Sequence, residues 1–353
     1  MKLIHCADVH LGSKMEATLP KSIADARKGE VRATFRRMIS YATAQGISLI
    51  LLSGDVFDSD RPFKRDKEFF YDAVKNNPEI TFLYLRGNHD SRESYTEEGL
   101  PNLKTFPAEW QGYTFGNVTV WGLEMNPENA TSFYSTLKTD PDAVNIVMLH
   151  GQVSSSAGPD KIVLNRLAEK GIDYLALGHV HSYTQGTLDA RGIWAYSGCP
   201  EGRGFDETGE KGFAVYDTEE KTVTFVPFSK RVILERTADI GDAETVYQAT
   251  EIARGALRCT PDDIVRLTLA GHAKFDTRGL ARDIETYLAG ECAYLSVKDR
   301  TRRAYRIEDY AGDVSLRGEF IRVVLASDRY TEEEKQKILA TGLRALVDGE
   351  VDA

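Results

Sequence analysis

Five short apolar runs, KLIHCA, ISLILLS, ITFLYLR, VNIVMLH and DYLALG, recur through the first half of the chain. Brief continuous runs bounded by polar turns are the pattern of strands covered on both faces. Between the first two lies RKGEVRATFRRMISYATAQG, whose apolar spacing predicts a helix stopping at Gly46. Buried strands alternating with helices restrict this part to a layered α/β fold, strands in the middle and helices outside. YTFGNVTVWGLE, KGFAVYDT and KTVTFVPF alternate more strictly and read as hairpins at sheet edges.

The texture changes after VPFSKRV. DAETVYQATEIARGAL reads as a helix, DDIVRLTLAG as a strand, TRGLARDIETYLA as a helix and EFIRVVLA as a strand. TEEEKQKILATGLRALVDG is a last helix, opened by a capping box from Thr331 to Glu334. Two domains are therefore expected, residues 1–229 and a smaller α+β unit at 230–353, and 353 residues suffice for both.

Several classes fall away on composition. No apolar run approaches the roughly 18 residues of a membrane span, and MKLIHCADVHLG turns polar too early for a signal peptide. The four cysteines, Cys6, Cys199, Cys259 and Cys292, have no paired spacing, so reduced thiols in a cytoplasmic protein are expected. Residues 1–228 hold 24 Lys and Arg against 31 Asp and Glu, and the remainder 20 against 23, for a net charge of −10. Neither part is a basic nucleic-acid module. A polyanion would have to meet a local patch or bound cations.

The polar residues that close the apolar runs carry the chemistry. In order they are Asp8 and His10, Asp55 and Asp58, Asn88, His89 and Asp90, His150, then His179 and His181. Five of the seven histidines stand at such ends. In an extended segment residues i and i+2 point the same way, so Asp8 with His10 and His179 with His181 each aim two donors at one point. The carboxyl ends of strands in open α/β sheets border the ligand crevice. Imidazole and oxygen donors without thiolate suit manganese, iron or zinc. Six or seven donors exceed the four of a structural zinc and match two ions, a recurrent device for phosphoester cleavage. Any one of these short motifs alone is more often a turn; their shared position is the signal. His5, in mid-strand, reads as a core residue and His272 as surface or structural. DRPFKRDK offers Arg61, Lys64 and Arg65, and KDRTRRAYR offers Arg302 and Arg303 with Tyr305 and Arg306, for backbone phosphate or base stacking. A solvated charged face is the alternative for the second stretch.

The series DVHLG, GDVFD, GNHD, HG and GHVHS resembles the calcineurin-like metallophosphoesterases. GDVFDSDRPF and SGCPEGRGFDETGEKGF narrow the resemblance to SbcD-type DNA repair exonucleases over residues 1–228, and SLRGEFIRVVL resembles their capping domain. The resemblance implies a metallophosphoesterase β-sandwich flanked by helices and a site with two divalent ions, manganese first, with iron, zinc or magnesium as alternatives. Asp8, His10, Asp55 and His181 would hold one ion. Asp55, Asn88, His150 and His179 would hold the other, Asp55 being shared. His89 would give a proton to the leaving oxygen, Asp58 would orient His89, Gly87 would make the turn and Asp90 would brace the loop. It further implies hydrolysis of DNA phosphodiesters in repair or end processing, a homodimer, and an ABC-type ATPase partner of the SbcC kind. The chain has no GxxxxGK[ST] loop of its own. Family members often continue past the cap into an ATPase-docking segment, where this sequence has one helix and a short tail, so an ATPase would be expected to dock on another surface. Two other readings stay open: a phosphatase or cyclic-nucleotide phosphodiesterase on the same site, and a metal-stabilised interaction subunit without catalysis. A serine hydrolase is excluded by the lack of a GxSxG elbow.

Overall fold

The computed structural model describes residues 1–15, 19–90, 99–303 and 312–348. Two six-stranded sheets form the larger part. In the first, β1 (Lys2–Cys6), β2 (Leu49–Ser53), β3 (Thr81–Leu85) and β4 (Leu103–Thr105) run parallel as neighbours. The antiparallel pair β13 (Gly212–Asp217) and β14 (Thr222–Pro227) extends it beyond β1, for an order β14-β13-β1-β2-β3-β4. In the second, β6 (Val118–Gly122), β7 (Val144–His150), β10 (Tyr174–Gly178) and β12 (Ile193–Tyr196) are parallel. Its antiparallel edges are β5 (Gln111–Phe115) and β11 (Thr184–Thr187). The three expected edge stretches are these β5–β6 and β13–β14 hairpins. A short pair, β8 (Gln152–Val153) and β9 (Lys161–Ile162), follows β7.

The continuous apolar runs are explained by burial on both faces. On β2, Leu49 and Leu51 enter a layer with Leu3, Leu83, Ile146, Met148 and Ala176, drawn from both sheets. The alternate residues Ile50 and Leu52 face the other way, into a layer with Phe35, Met38 and Phe70. Those come from α1 (Lys21–Ala44) and α2 (Lys64–Lys75). α1 turns Val31, Phe35, Met38, Ile39 and Ala42 inward, a helical spacing. It starts at Lys21 rather than Arg27, and Gly46 with φ +66° ends its exit turn, where Gly46 N–H donates to the Thr43 carbonyl at 3.1 Å. Burying a side chain as fully as Phe35 contributes about 2–3 kcal/mol. The outer face of the second sheet, with Val147, Leu149, Leu175 and Leu177, packs on Phe133 of the short α3 (Phe133–Thr136).

The chain divides into two compact units, Met1–Leu234 with Asp262–Ile264, and Glu235–Pro261 with Val265–Ala353. The second unit's sheet has the order β15 (Ile233–Asp239), β16 (Ile264–Ala270), β18 (Tyr294–Asp299). Its helices are α4 (Val246–Leu257), α5 (Leu280–Tyr287), α6 (Leu316–Leu325) and α7 (Glu332–Asp348), and β17 (His272–Ala273) pairs with β19 (Arg302–Arg303). The stretch EFIRVVLA, expected as a strand from its β-branched residues, is helical. Ser315 caps α6 by accepting from Arg317 N–H at 3.3 Å, and Ile321 and Val324 pack on Leu339 and Leu343 of α7. Side chains three and four apart meet a neighbouring helix, and that packing outweighs propensity. The capping box before α7 forms as expected, Thr331 N–H to Glu334 Oε2 at 2.8 Å and Glu334 N–H to Thr331 Oγ1 at 3.3 Å. Among the described residues no helix is long and apolar enough to cross a membrane, and Cys6, Cys199 and Cys292 are buried.

Candidate metal centre

β1, β2 and β3 are parallel neighbours in one sheet, and β7 and β10 in the other, so their carboxyl-end loops lie side by side. Asp8, His10, Asp55, Asn88, His179 and His181 sit in those loops, where strand alternation does not aim them, and His150 is the last residue of β7. β1 has already ended at Cys6, and Asp8, His10, Asp55 and His179 all take positive φ, 52°, 49°, 52° and 107°. Such conformations cost a non-glycine residue about 1–3 kcal/mol and persist where surroundings enforce them. Here backbone hydrogen bonds do so. Asp8 N–H donates to Gly54 O and His10 N–H to Asp55 O, each at 3.0 Å, and His179 N–H meets both Asp8 carboxylate oxygens at 3.0 Å.

Three groups of donors result, Asp8 with His10 and His181, Asp8 with Asp55 and His150, and His181 with Cys199 and Glu207; within each, ligand atoms lie within 4.8 Å of one another, and the first two join the predicted ligands. Asp8 belongs to the first two. Asp55 Oδ2 stands 3.4 Å from His150 Nε2 and 3.9 Å from His10 Nε2, so it too lies between them. Asn88 Oδ1 adds a donor 3.0 Å from His150 Nε2 and 3.1 Å from His179 Nδ1.

The outer contacts of the histidines decide which ring nitrogens face inward. Glu207 Oε1, a carboxylate oxygen with no hydrogen to give, is 2.6 Å from His181 Nδ1, closer than the Arg203 Nη2 donor at 3.2 Å, so that nitrogen carries the proton. His150 Nδ1 likewise donates to the Ser53 carbonyl at 2.9 Å. His10 Nδ1 lies 3.0 Å from Asp58 Oδ1. With the rings neutral, each Nε2 then presents a lone pair inward. His10 Nε2 meets His181 Nε2 at 3.2 Å, and His150 Nε2 meets the Asn88 carbonyl oxygen at 3.0 Å. Acceptors facing acceptors around buried carboxylates repel one another unless cations lie among them. The residues therefore fit a pair of divalent ions.

The charges agree. Burial pushes the Asp55 carboxyl upward, but the hydrogen bond and charge of His150, with the charge of His10, hold it below the usual carboxylate range. Burial opposes a proton on His150, yet Asp55 and Asp8 raise its pKa to about 9, the proton supplying positive charge where a cation would. Burial lowers His10 and His179, only partly opposed by nearby carboxylates.

His89 stands exposed beside this cluster, its ring centroid 5.1 Å from that of His10. Its N–H donates to Asp55 Oδ1 at 2.8 Å and its Nδ1 is 3.3 Å from the Asp58 backbone carbonyl. The expected partnership of Asp58 with His89 thus runs through the backbone. The Asp58 carboxylate turns to His10 and Arg203. Gly87 does not adopt positive φ; a Cβ there would strike the Asp55 carboxylate and the His150 ring, so close approach requires the glycine. Asp90 accepts from Phe57 N–H at 3.0 Å and Gly87 N–H at 3.1 Å, tying the second and third loops, and burial beside Asp55 raises its pKa to about 6.

Arg61, Lys64 and Arg65 are exposed at and before the start of α2, Lys64 pairing with Glu68 at 3.6 Å and Arg65 lying over the Phe63 ring. Arg302 is exposed on β19 in the second unit, with Arg303 beside it in the strand. Tyr305 and Arg306 fall outside the described residues. His5 is fully buried, its Nδ1 2.7 Å from Tyr174 Oη, and burial lowers its pKa to about 3; His272 is exposed. Sequence reasoning missed Arg203 and Glu207. Both lie in SGCPEGRGFDETGEKGF, whose charged residues bracket the centre, but no periodicity points them there.

A layered α/β scaffold with a two-cation donor set at the carboxyl ends of its strands defines a metal-dependent phosphoester hydrolase. The family model described as calcineurin-like phosphoesterase matches residues 1–183, and the chain belongs to that family, whose members carry a dinuclear metal centre. The chain is 28% identical over 299 residues to the "Uncharacterized metallophosphoesterase YhaO" of Bacillus subtilis, covering 77% of this chain and 72% of that protein. It is 28% identical over 244 residues to the DNA double-strand break repair protein Mre11 of Sulfurisphaera tokodaii, covering 65% and 60%. Against Mre11 of Methanosarcina acetivorans it is 25% identical over 327 residues, covering 85% of this chain but half, 50%, of the relative.

Proposed function

We propose that this chain is a DNA phosphodiesterase of the SbcD exonuclease type. One observation carries the reading. An exposed imidazole, His89, stands beside the donor cluster, where a phosphoester held on the cations would meet it. Similarity to two proteins named for DNA double-strand break repair favours DNA over small phosphoesters.

Asp8, His10, Asp55 and His181 hold one ion in this reading, and Asp55, Asn88, His150 and His179 the other. Two bound cations, with manganese the first choice, supply a lowered pKa for water and offset the phosphate's charge. The chain's own groups do the rest. His89 Nδ1 donates to the Asp58 carbonyl, which fixes the ring and leaves Nε2 toward the crevice. The doubly protonated ring carries a second proton on Nε2, which passes to the departing sugar oxygen and leaves the neutral Nδ1–H imidazole. The Asp55 contact to His89 N–H holds the loop in register with the donors. A homodimer, an ABC-type ATPase partner and a cytoplasmic location belong to the same proposal.

The test offers end-labelled single-stranded and duplex DNA and an aryl phosphodiester to the protein with added manganese. Shortening of the DNA from its ends supports the reading. Fast turnover of the aryl ester with no DNA product would replace it with a small-substrate phosphodiesterase. Metal binding with neither activity would leave an interaction subunit.

A further inference from the structure

The two halves of the centre are supported differently, and the difference rests on Arg203. His10 and His181 both turn Nδ1 to a carboxylate, Asp58 Oδ1 at 3.0 Å and Glu207 Oε1 at 2.6 Å. One guanidinium joins those carboxylates. Arg203 Nη1 donates to Asp58 Oδ1 at 2.8 Å, while Nε and Nη2 donate to Glu207 Oε1 at 2.9 and 2.6 Å. The Arg203 N–H adds a bond to Glu207 Oε2 at 2.8 Å. The loop is fastened to His181 from the other side, where Lys211 Nζ donates to its carbonyl at 2.8 Å. Glu207 is buried and Arg203 mostly so, which keeps these contacts out of competition with solvent. Among the described residues the other half lacks this framework: His150 rests on the neutral Ser53 carbonyl, and Asn88 is a neutral, exposed donor.

We infer that Arg203 is a positioning residue that makes the Asp8–His10–His181 half of the centre the tight site, leaving the Asn88–His150–His179 half to bind a divalent ion weakly and exchange it. A carboxylate behind an imidazole fixes its tautomer and raises its basicity toward a metal, and loss of such a partner costs about 10–100-fold in affinity. Two carboxylates offset by one guanidinium leave net negative charge behind the first half. The second half has a carbonyl dipole instead. The inference depends on the ligand assignment given under the proposed function.

The test is binding of Mn(II) to metal-stripped protein, read by the electron paramagnetic resonance signal of free Mn(II) and by metal analysis after equilibrium dialysis. The wild-type protein is expected to bind two ions with separated affinities. Arg203→Met should weaken the tighter step about 10–100-fold and leave the weaker step near its wild-type value. Arg203→Lys should recover part of the loss, and Asn88→Ala should remove the weaker step alone. Circular dichroism melts confirm that each variant is folded, and should Arg203→Met fail to fold, Glu207→Gln takes its place with the same selective loss expected. Equal weakening of both steps, or no change in either, overturns the inference while two-ion binding preserves the ligand assignment. Failure of the wild type to bind two ions overturns both.

Discussion

At the scale of single residues the centre depends on a few atoms that have no substitute. His89 touches the donor set through its backbone, so removing its ring should spare the metals and strike only the proton transfer. His89→Ala is expected to keep two manganese ions by metal analysis while losing about 100- to 10,000-fold in turnover on DNA; full activity would refute the role of Nε2. Gly178 ends β10 where a Cβ would overlap the Ser53 carbonyl and crowd the His150 ring. Gly178→Ala should cost about 1–3 kcal/mol of stability in urea unfolding and lower manganese affinity, because Ser53 and His150 must both shift. Of this residue-level detail, the donors were legible in the sequence: each closes an apolar run. The roles of Asp58 and Gly87 were not, because a side chain's partner is set by which loop folds over it.

At the scale of elements, buried charge ties α1 and the ends of the sheets together. Arg27 is 1% exposed and donates to Glu30 Oε2 at 2.7 Å and Glu201 Oε2 at 2.8 Å, joining α1 to the loop that carries Arg203. Arg27→Ala strands Glu201 in the interior and should cost about 3–5 kcal/mol, measured as a lowered urea midpoint. Asp173, just before β10, accepts from Asn145 N–H at 2.9 Å, Arg191 Nη2 at 2.8 Å and Lys221 Nζ at 2.9 Å, linking the second sheet to the β13–β14 turn of the first. Burial pushes its carboxyl upward, but these partners pull it below the ordinary value. A depressed carboxyl stabilises the fold above its unfolded pKa, and that contribution disappears as pH falls through the folded one. Asp173→Asn should therefore lower stability by about 1.5–3 kcal/mol near neutral pH, with the gap closing below about pH 4; a gap independent of pH would sink the assignment. The five core strands were readable because both faces are buried. α6 was not, since its isoleucine and valines favour a strand until α7 provides something to pack against.

At the scale of the whole molecule, a net charge of −10 sets how a polyanion can approach. Attraction for DNA must come from the cations of the centre and local arginines, because the chain as a whole repels phosphate. Duplex DNA is expected to bind the His89→Ala protein in manganese and to release, by tenfold or more, when a chelator removes the ions. Undiminished retention in chelator, measured by gel shift at fixed salt, would shift the binding to exposed arginines such as Arg302.

The order of chemistry-bearing residues and the unbroken apolar runs that bury both faces of the core strands are set in the sequence, because covalent order and hydrophobic patterning are local properties. The tertiary structure alone brought the loops of two sheets against each other, forced Asp8, His10 and Asp55 into left-handed backbone, and closed Arg203 and Glu207 over His10 and His181. Those outcomes depend on contacts between segments up to 171 residues apart, as between His10 and His181, and on the balance of burial against charge that exists only once the segments meet.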